Sequence, residues 1–296
     1  MTADEVGEEV VNAKYDENGI AEVNGVFYYR ADLTEHASKL PYPNSHVVGK
    51  YVTQEDYDWA TEYYKKRLLE DNPAWQVDDV CYFVCEPIEW QVLKTESGKA
   101  FLLSKYVLDA HPYHKMFESD DFDWETEFYY ETSWEECDLR EWLNDSFYNT
   151  AFSEADQESV LLTKVKNTDN VKNGEDSGPD TKDYVYLLSD AEALEYFGNE
   201  MIGRSKEELP EKTEQLGLPT AYALLQGVYT RGEKSTYWYK EYSDWWLRTT
   251  GLTQYAVYLS ASSRMVSSGK HIAKVEAGVR PVVWIDVATA KVEKVN

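Results

Sequence analysis

Three short apolar or aromatic runs near the carboxy terminus constrain this chain most. They are Trp245-Trp246-Leu247-Arg248, Ala256-Val257-Tyr258-Leu259-Ser260 and Gly278-Val279-Arg280-Pro281-Val282-Val283-Trp284-Ile285. Brief runs of this composition between turn-forming residues read as strands. Two loops rich in Thr, Ser, Gln, Tyr, Arg, Lys and His separate them. The layout suits a rigid sheet that presents adaptable contact residues, and it suits acid–base chemistry poorly.

A chain of 296 residues, 43% of them hydrophobic, buries a core as one large domain or two small ones. Aromatics reach 15%, with 24 Tyr and 10 Trp. Such residues serve recognition surfaces, and equally they fill the cores of small β-rich domains. The net charge of −26 opposes a nucleic-acid backbone or an anionic membrane as partner. No stretch approaches the roughly 18 apolar residues of a membrane span. The start, Met1-Thr2-Ala3-Asp4-Glu5, lacks the basic and apolar regions of a signal peptide. That fits a cytoplasmic protein and equally a chain whose leader has been removed. A secreted or cell-surface setting is the expectation taken forward.

Local signals predict an α+β domain over residues 15–296, with 1–14 as a disordered tail. Asp16-Glu17-Asn18-Gly19 and Asn24-Gly25 place a hairpin over 15–30. A helix is expected over 53–72, where Trp59, Ala60, Tyr63, Tyr64 and Leu68 share a face and Asn72-Pro73 ends it. Residues 80–104 read as strands broken at Glu86-Pro87 and turned at Ser97-Gly98. Capping patterns start helices at Ser133, Ser153 and Ser189, and a strand is expected over 184–188. The polar stretch 199–218 reads as a flexible insertion. Cys81 and Cys85, four apart in a strand, stand about 13 Å from each other, too far for a disulfide; Cys81, Cys85 and Cys137 are expected as buried free thiols.

Four groups of residues compete for chemistry. The loop 167–183 carries Asp169, Asp176, Asp180 and Asp183, oxygen ligands of the kind Ca²⁺ takes, though not at EF-hand spacing; the alternative is a cluster of solvated turns. Residues 117–136 interleave Glu118, Asp120, Asp121, Asp123, Glu125 and Glu127 with aromatics. Paired carboxylates there would serve glycoside hydrolysis, making a carbohydrate-active enzyme the rival reading. In His111-Pro112-Tyr113-His114 the proline argues against a helical metal pair, and no hydrolase, zinc-protease or P-loop motif occurs. The fourth group is the pair of C-terminal loops.

An ordered series of motifs gives that last group its weight. It includes Glu86-Pro87-Ile88-Glu89-Trp90, Leu102-Leu103-Ser104, Trp134-Glu135-Glu136-Cys137-Asp138-Leu139-Arg140-Glu141-Trp142-Leu143-Asn144, Asp180-Thr181-Lys182-Asp183, Tyr186-Leu187-Leu188-Ser189, and the Trp-Trp-Leu-Arg and Gly-Val-Arg-Pro signatures. The series resembles a domain family common in anaerobic gut Firmicutes. Its closing layout is similar to the C-type-lectin fold of formylglycine-generating enzymes and of the variable proteins of diversity-generating retroelements. The resemblance implies short antiparallel strands with a few flanking helices and a display region over 245–285. It also implies a ligand-binding surface of Trp246, Arg248, Thr249, Thr250, Leu252, Thr253, Tyr255, Tyr258, Ser260, Ser262, Arg264, Ser267, Ser268, His271 and Ile272. The partner would be a protein or glycan on another surface, bound without catalysis. No cysteine follows Cys137, so the late cysteine pair of the formylglycine enzymes is missing and their oxidase activity is not expected. Where the family often has an Asp-Gly turn, this chain has Ser262-Ser263-Arg264. A purely structural surface domain is the third reading.

Overall fold

A computed structural model describes residues 1–33, 80–114, 132–198, 201, 210, 213–232, 235–272, 274 and 277–291. The helix expected over 53–72 and most of the acidic tract 117–136 lie outside these residues. What is described is a mixed α+β protein of short, mainly antiparallel strands and brief helices. Among the described residues no helix is long and apolar enough to cross a membrane.

The first strands, β1 (Ile20–Val23) and β2 (Val26–Asp32), form the expected hairpin and pair onward with β3 (Val80–Val84). Asn24 and Gly25 both take positive φ, 54° and 81°, the backbone that a two-residue hairpin turn requires. The first residues are folded rather than disordered. Two single-turn helices, α1 (Ala3–Val6) and α2 (Glu8–Val11), precede the hairpin. The Met1 ammonium donates to the Tyr82 carbonyl at 3.0 Å, Tyr82 N–H returns a bond to Met1 at 2.9 Å, and Val10 is buried. Docking on β3 supplies the partners that so short a helix lacks alone.

Two further sheets share the main core. One has the order β4 (Trp90–Glu96), β5 (Lys99–Ser104), β14 (Val282–Asp286), β9 (Val185–Tyr186). The other has the order β12 (Met265–His271), β11 (Tyr255–Leu259), β10 (Trp245–Thr250), β13 (Gly278–Val279), β6 (Asp109–Ala110). Neighbouring strand residues face opposite sides, yet Trp245 and Trp246 are both fully buried, because β10 lies mid-sheet with both faces covered. A small pair, β7 (Thr163–Val165) with β8 (Thr181–Asp183), brackets the 167–180 loop.

Helices fill the edges. The helix expected from Ser133 begins later: residues 134–136 form a turn closed by Glu136 N–H on Ser133, and α3 (Asp138–Trp142) follows with Leu139 buried. A π turn, Leu143–Phe147, leads into α4 (Tyr148–Ala151). Within that turn Asn144 donates to the Arg140 and Val185 carbonyls and accepts from Tyr184 and Val185 N–H. Asn144 takes the Tyr184 N–H, and Arg248 takes the Leu187 and Leu188 carbonyls, so the strand expected over 184–188 is reduced to β9. Capping boxes open α5 (Glu154–Gln157) and α6 (Asp190–Phe197) at Ser153 and Ser189, as expected. The last helix is α7 (Ala221–Leu225). In the stretch read as an insertion, Met201, Gln215 and Leu216 are instead packed inside.

One buried cation joins the two large sheets. Arg280, between β13 and β14, donates to the carbonyls of Ser104 (2.8 Å), Lys105 (3.1 Å) and Glu214 (2.8 Å), and its guanidinium lies 5.2 Å from the Trp245 ring centre. Burial makes its proton easier to lose, but a cage of carbonyl oxygens holds the cation. The sulfurs follow the expectation in part: Cys81 and Cys137 are buried free thiols, whereas Cys85 is exposed.

Candidate functional site

The residues read as a display surface separate into scaffold, cleft and rim. Trp246, Arg248, Thr249, Ser262, Ser267, His271 and Ile272 are buried; all but Ser262, which still lines the cleft, form scaffold. A bulge explains the inward turn of β10: pairing with β11 shifts register between Trp246 and Thr250, and Arg248 N–H bonds Leu188 instead. Arg248 then donates to Asn167, to the Leu187 and Lys166 carbonyls and to Glu192, with the Tyr186 ring 5.6 Å away. Thr249 Oγ1 bonds Asp190 (3.0 Å), and Trp246 Nε1 bonds the His111 carbonyl (2.9 Å). The His271 ring lies edge-on to Tyr255, and Ile272 belongs to the core.

Leu252, Thr253, Tyr255 and Ser268 are exposed, and Thr250 is half-buried. These sit at the β10–β11 end of the sheet. Tyr258, Ser260, Ser262 and Arg264 sit at the other end, roughly five residues or about 17 Å along β11. The structure therefore gathers them as two separate groups, Leu252 N–H bonding the Ser268 carbonyl at 3.1 Å in the first, and only the second lines a cavity among the described residues.

The loop 167–183 is a brace. Asn170, almost wholly buried, donates from Nδ2 to Thr250 on β10 and Ser267 on β12, both at 2.9 Å. Asp183 is fully buried and accepts from Arg140, Trp134 and Thr181. Asp180 pairs with Lys164 at 2.9 Å, which holds its carboxyl below the usual range; Asp176 accepts from Gly178 N–H, and Asp169 is exposed. Among the described residues no group of three or more His, Cys, Asp or Glu side chains could hold a metal. His111 stacks on Trp142, and His114 faces Asp138 at 3.1 Å.

The cleft occupies the β11–β12 turn. Ser260 N–H bonds the Arg264 carbonyl (2.8 Å), Arg264 N–H bonds Ser260 Oγ (3.1 Å), and Ser263 takes φ 62°. Ser263 fills the backbone role a glycine would have in an Asp-Gly turn, and Gln215 donates to its hydroxyl at 2.7 Å. Around this turn, Tyr229, Arg231, Tyr239, Tyr242, Asp244, Tyr258, Ser262 and Arg264 line an open cavity of about 150 Å³. Asp244 accepts from Ala261 N–H (2.9 Å) and from Lys270 Nζ (2.7 Å), whose ammonium also sits 4.9 Å from the Tyr258 ring centre. Burial, reinforced by Asp244 and opposed by Arg264, pushes the Tyr258 phenol up to about 12, so it stays a neutral donor. Arg231 lies over the Tyr237 ring at 4.8 Å and Tyr239 at 5.6 Å. Among the described residues neither Arg231 nor Arg264 has a carboxylate partner, because the cleft's own carboxylate is held by Lys270.

Sequence reasoning missed Tyr229, Arg231, Tyr239, Tyr242 and Asp244. Their segment has no strand or helix period. The cue available was aromatic density, Tyr237-Trp238-Tyr239 and Tyr242, immediately ahead of Trp245.

A family model described as a domain of unknown function (DUF6273) matches residues 97–287. No curated protein and no solved structure matches the chain.

Proposed function

The chain belongs to the DUF6273 family, and we propose that it is a non-enzymatic binding protein on a C-type-lectin-like scaffold. Its ligand is a protein or glycan on another surface, and residues of the β11–β12 turn make the contacts. The observation that carries this reading is the cleft, where Tyr258, Ser260, Ser262 and Arg264 meet Tyr229 and Arg231 around an open cavity. Tyrosine and arginine dominate such contacts because they bring area, hydrogen bonds and charge from few side chains. Asp244 is fixed by Lys270 and Ala261 N–H, a positioning role that supports binding over proton transfer. Leu252, Thr253, Tyr255 and Ser268 form a second, separate rim that a large partner reaches as well.

Screening the full chain against glycan and cell-surface panels tests this. A combined Tyr229→Ala, Tyr258→Ala, Arg264→Ala variant that keeps its fold is expected to lose the binding seen with the parent. Binding unchanged by all three substitutions refutes the assigned face, and turnover of any captured glycan refutes the non-enzymatic reading. A near-repeat of the segment 245–285 beside a reverse-transcriptase gene is the expected companion if the turn belongs to a diversity-generating retroelement.

A further inference from the structure

We infer that the cleft receives one carboxylated sugar ring, a uronic- or sialic-acid unit of a glycan. The inference rests on the binding reading above and names its ligand class. Charge is the first ground. In a chain of net charge −26, the cleft is lined by Arg231 and Arg264 against a single carboxylate, Asp244, and Lys270 beside the cleft already engages that carboxylate. Two guanidinium groups remain without a carboxylate partner among the described residues. Their planar forks match a carboxylate, and arginine loses less hydration than lysine in making that bond. Arg140, Arg248 and Lys164 by contrast face Asp183, Glu192 and Asp180, and the buried Arg280 is saturated by carbonyls.

Size and lining supply the second ground. The cavity holds about 150 Å³, the volume of a cavity known to admit one benzene ring. The cavity is open to solvent, so a pyranose seats its carboxylate-bearing edge there and leaves the rest of the ring outside. Tyr229, Tyr242 and Tyr258 supply aromatic lining for the C–H side of a sugar, and Ser260 and Ser262 supply hydroxyls for its hydroxyl edge. Ser260 Oγ and Ser262 Oγ stand 3.0 Å apart, so each can turn its proton from the other toward a ligand.

Amide NMR titration of the full chain with methyl glucuronide, the methyl glycoside of N-acetylneuraminic acid, methyl glucoside and a blocked glutamate peptide tests the inference. An acidic sugar is expected to shift amides over residues 258–264. Methyl glucoside and the peptide should bind about tenfold more weakly or not at all. Arg264→Gln and Arg231→Gln should each weaken the acidic sugar about tenfold at unchanged melting temperature. The inference is overturned if neither acidic sugar binds, if the neutral sugar binds as well, or if the peptide binds as tightly. Neutral sugar shifting the same amides would sink the charge argument and leave the binding face standing. Ligand-induced shifts confined to other surfaces would sink both.

Discussion

Replacing Gly278 by alanine should be among the most costly single-methyl additions in this protein, and the cost should be relieved by trimming one named neighbour. A Cβ at position 278 would stand 2.1 Å from Val107 Cγ1 and 3.3 Å from Val107 Cβ. The backbone of Gly278 is not in the left-handed region, so the penalty is steric alone. Val107 cannot yield easily. It is fully buried and β-branched, and its backbone is held by bonds to Leu218 and Thr220, both at 3.0 Å. Overpacking costs about 1–3 kcal/mol, and a contact this short belongs at the upper end, about 3 kcal/mol. Val107→Ala alone removes two methyl groups at about 0.8 kcal/mol each plus a cavity contribution, about 2–3 kcal/mol together. If the sites were independent, the double variant would lose about 5–6 kcal/mol. Instead the methyl added by Gly278→Ala should occupy the space Cγ1 vacated, leaving a loss of about 2–3 kcal/mol and a coupling of about 3 kcal/mol. Urea denaturation of the four proteins measures this cycle. Additivity within about 0.5 kcal/mol would refute the steric argument.

Two further outcomes concern buried charge. Arg280→Met should cost about 3–5 kcal/mol by urea denaturation, because the Ser104, Lys105 and Glu214 carbonyls lose a charged donor inside the core; a loss under about 1 kcal/mol would mean that the cage is dispensable. Asp109 is half-buried, and desolvation of its carboxyl pushes it up to about 7, opposed in part by the Ala110 N–H. The folded state therefore keeps this proton to near pH 7, while the unfolded state releases it near 3.8. Its contribution to stability should fall as pH rises from about 4 to about 7 and then level off. Thermal melts across that range should show a shallower decline for Asp109→Asn, and parallel curves would refute the assignment.

Features set by neighbours in sequence were legible; features set by distant partners were not. The Asn24-Gly25 and Ser97-Gly98 turns and the Ser153 and Ser189 capping boxes need only a few adjacent residues, and each occurs where its pattern stands. By contrast, β13 pairs in parallel with β10 and antiparallel with β6, contacts that bring Gly278 to Ala110 without any local signal. The same limit explains the site. Tyr258, Ser260, Ser262 and Arg264 are singled out by the motif resemblance rather than by any local period. The inward course of Arg248 depends on a bulge that hands its N–H to Leu188, and residues 229–244 reach the cleft through irregular chain. Likewise the docking of residues 1–11 depends on Tyr82, which is remote in sequence.

The position of β14 bears on how the molecule assembles. It is an interior strand, zipped between β5 and β9, and its partners are made much earlier in the chain, as the pairing of Asp286 with Lys99 shows. Contacts of such separation slow folding, since a long loop must close before any reward arrives. Until residues 282–286 join, the facing edges of β5 and β9 are unsatisfied templates for another chain. Nascent or clipped polypeptide lacking that strand should be the species that chaperones hold and that aggregates first.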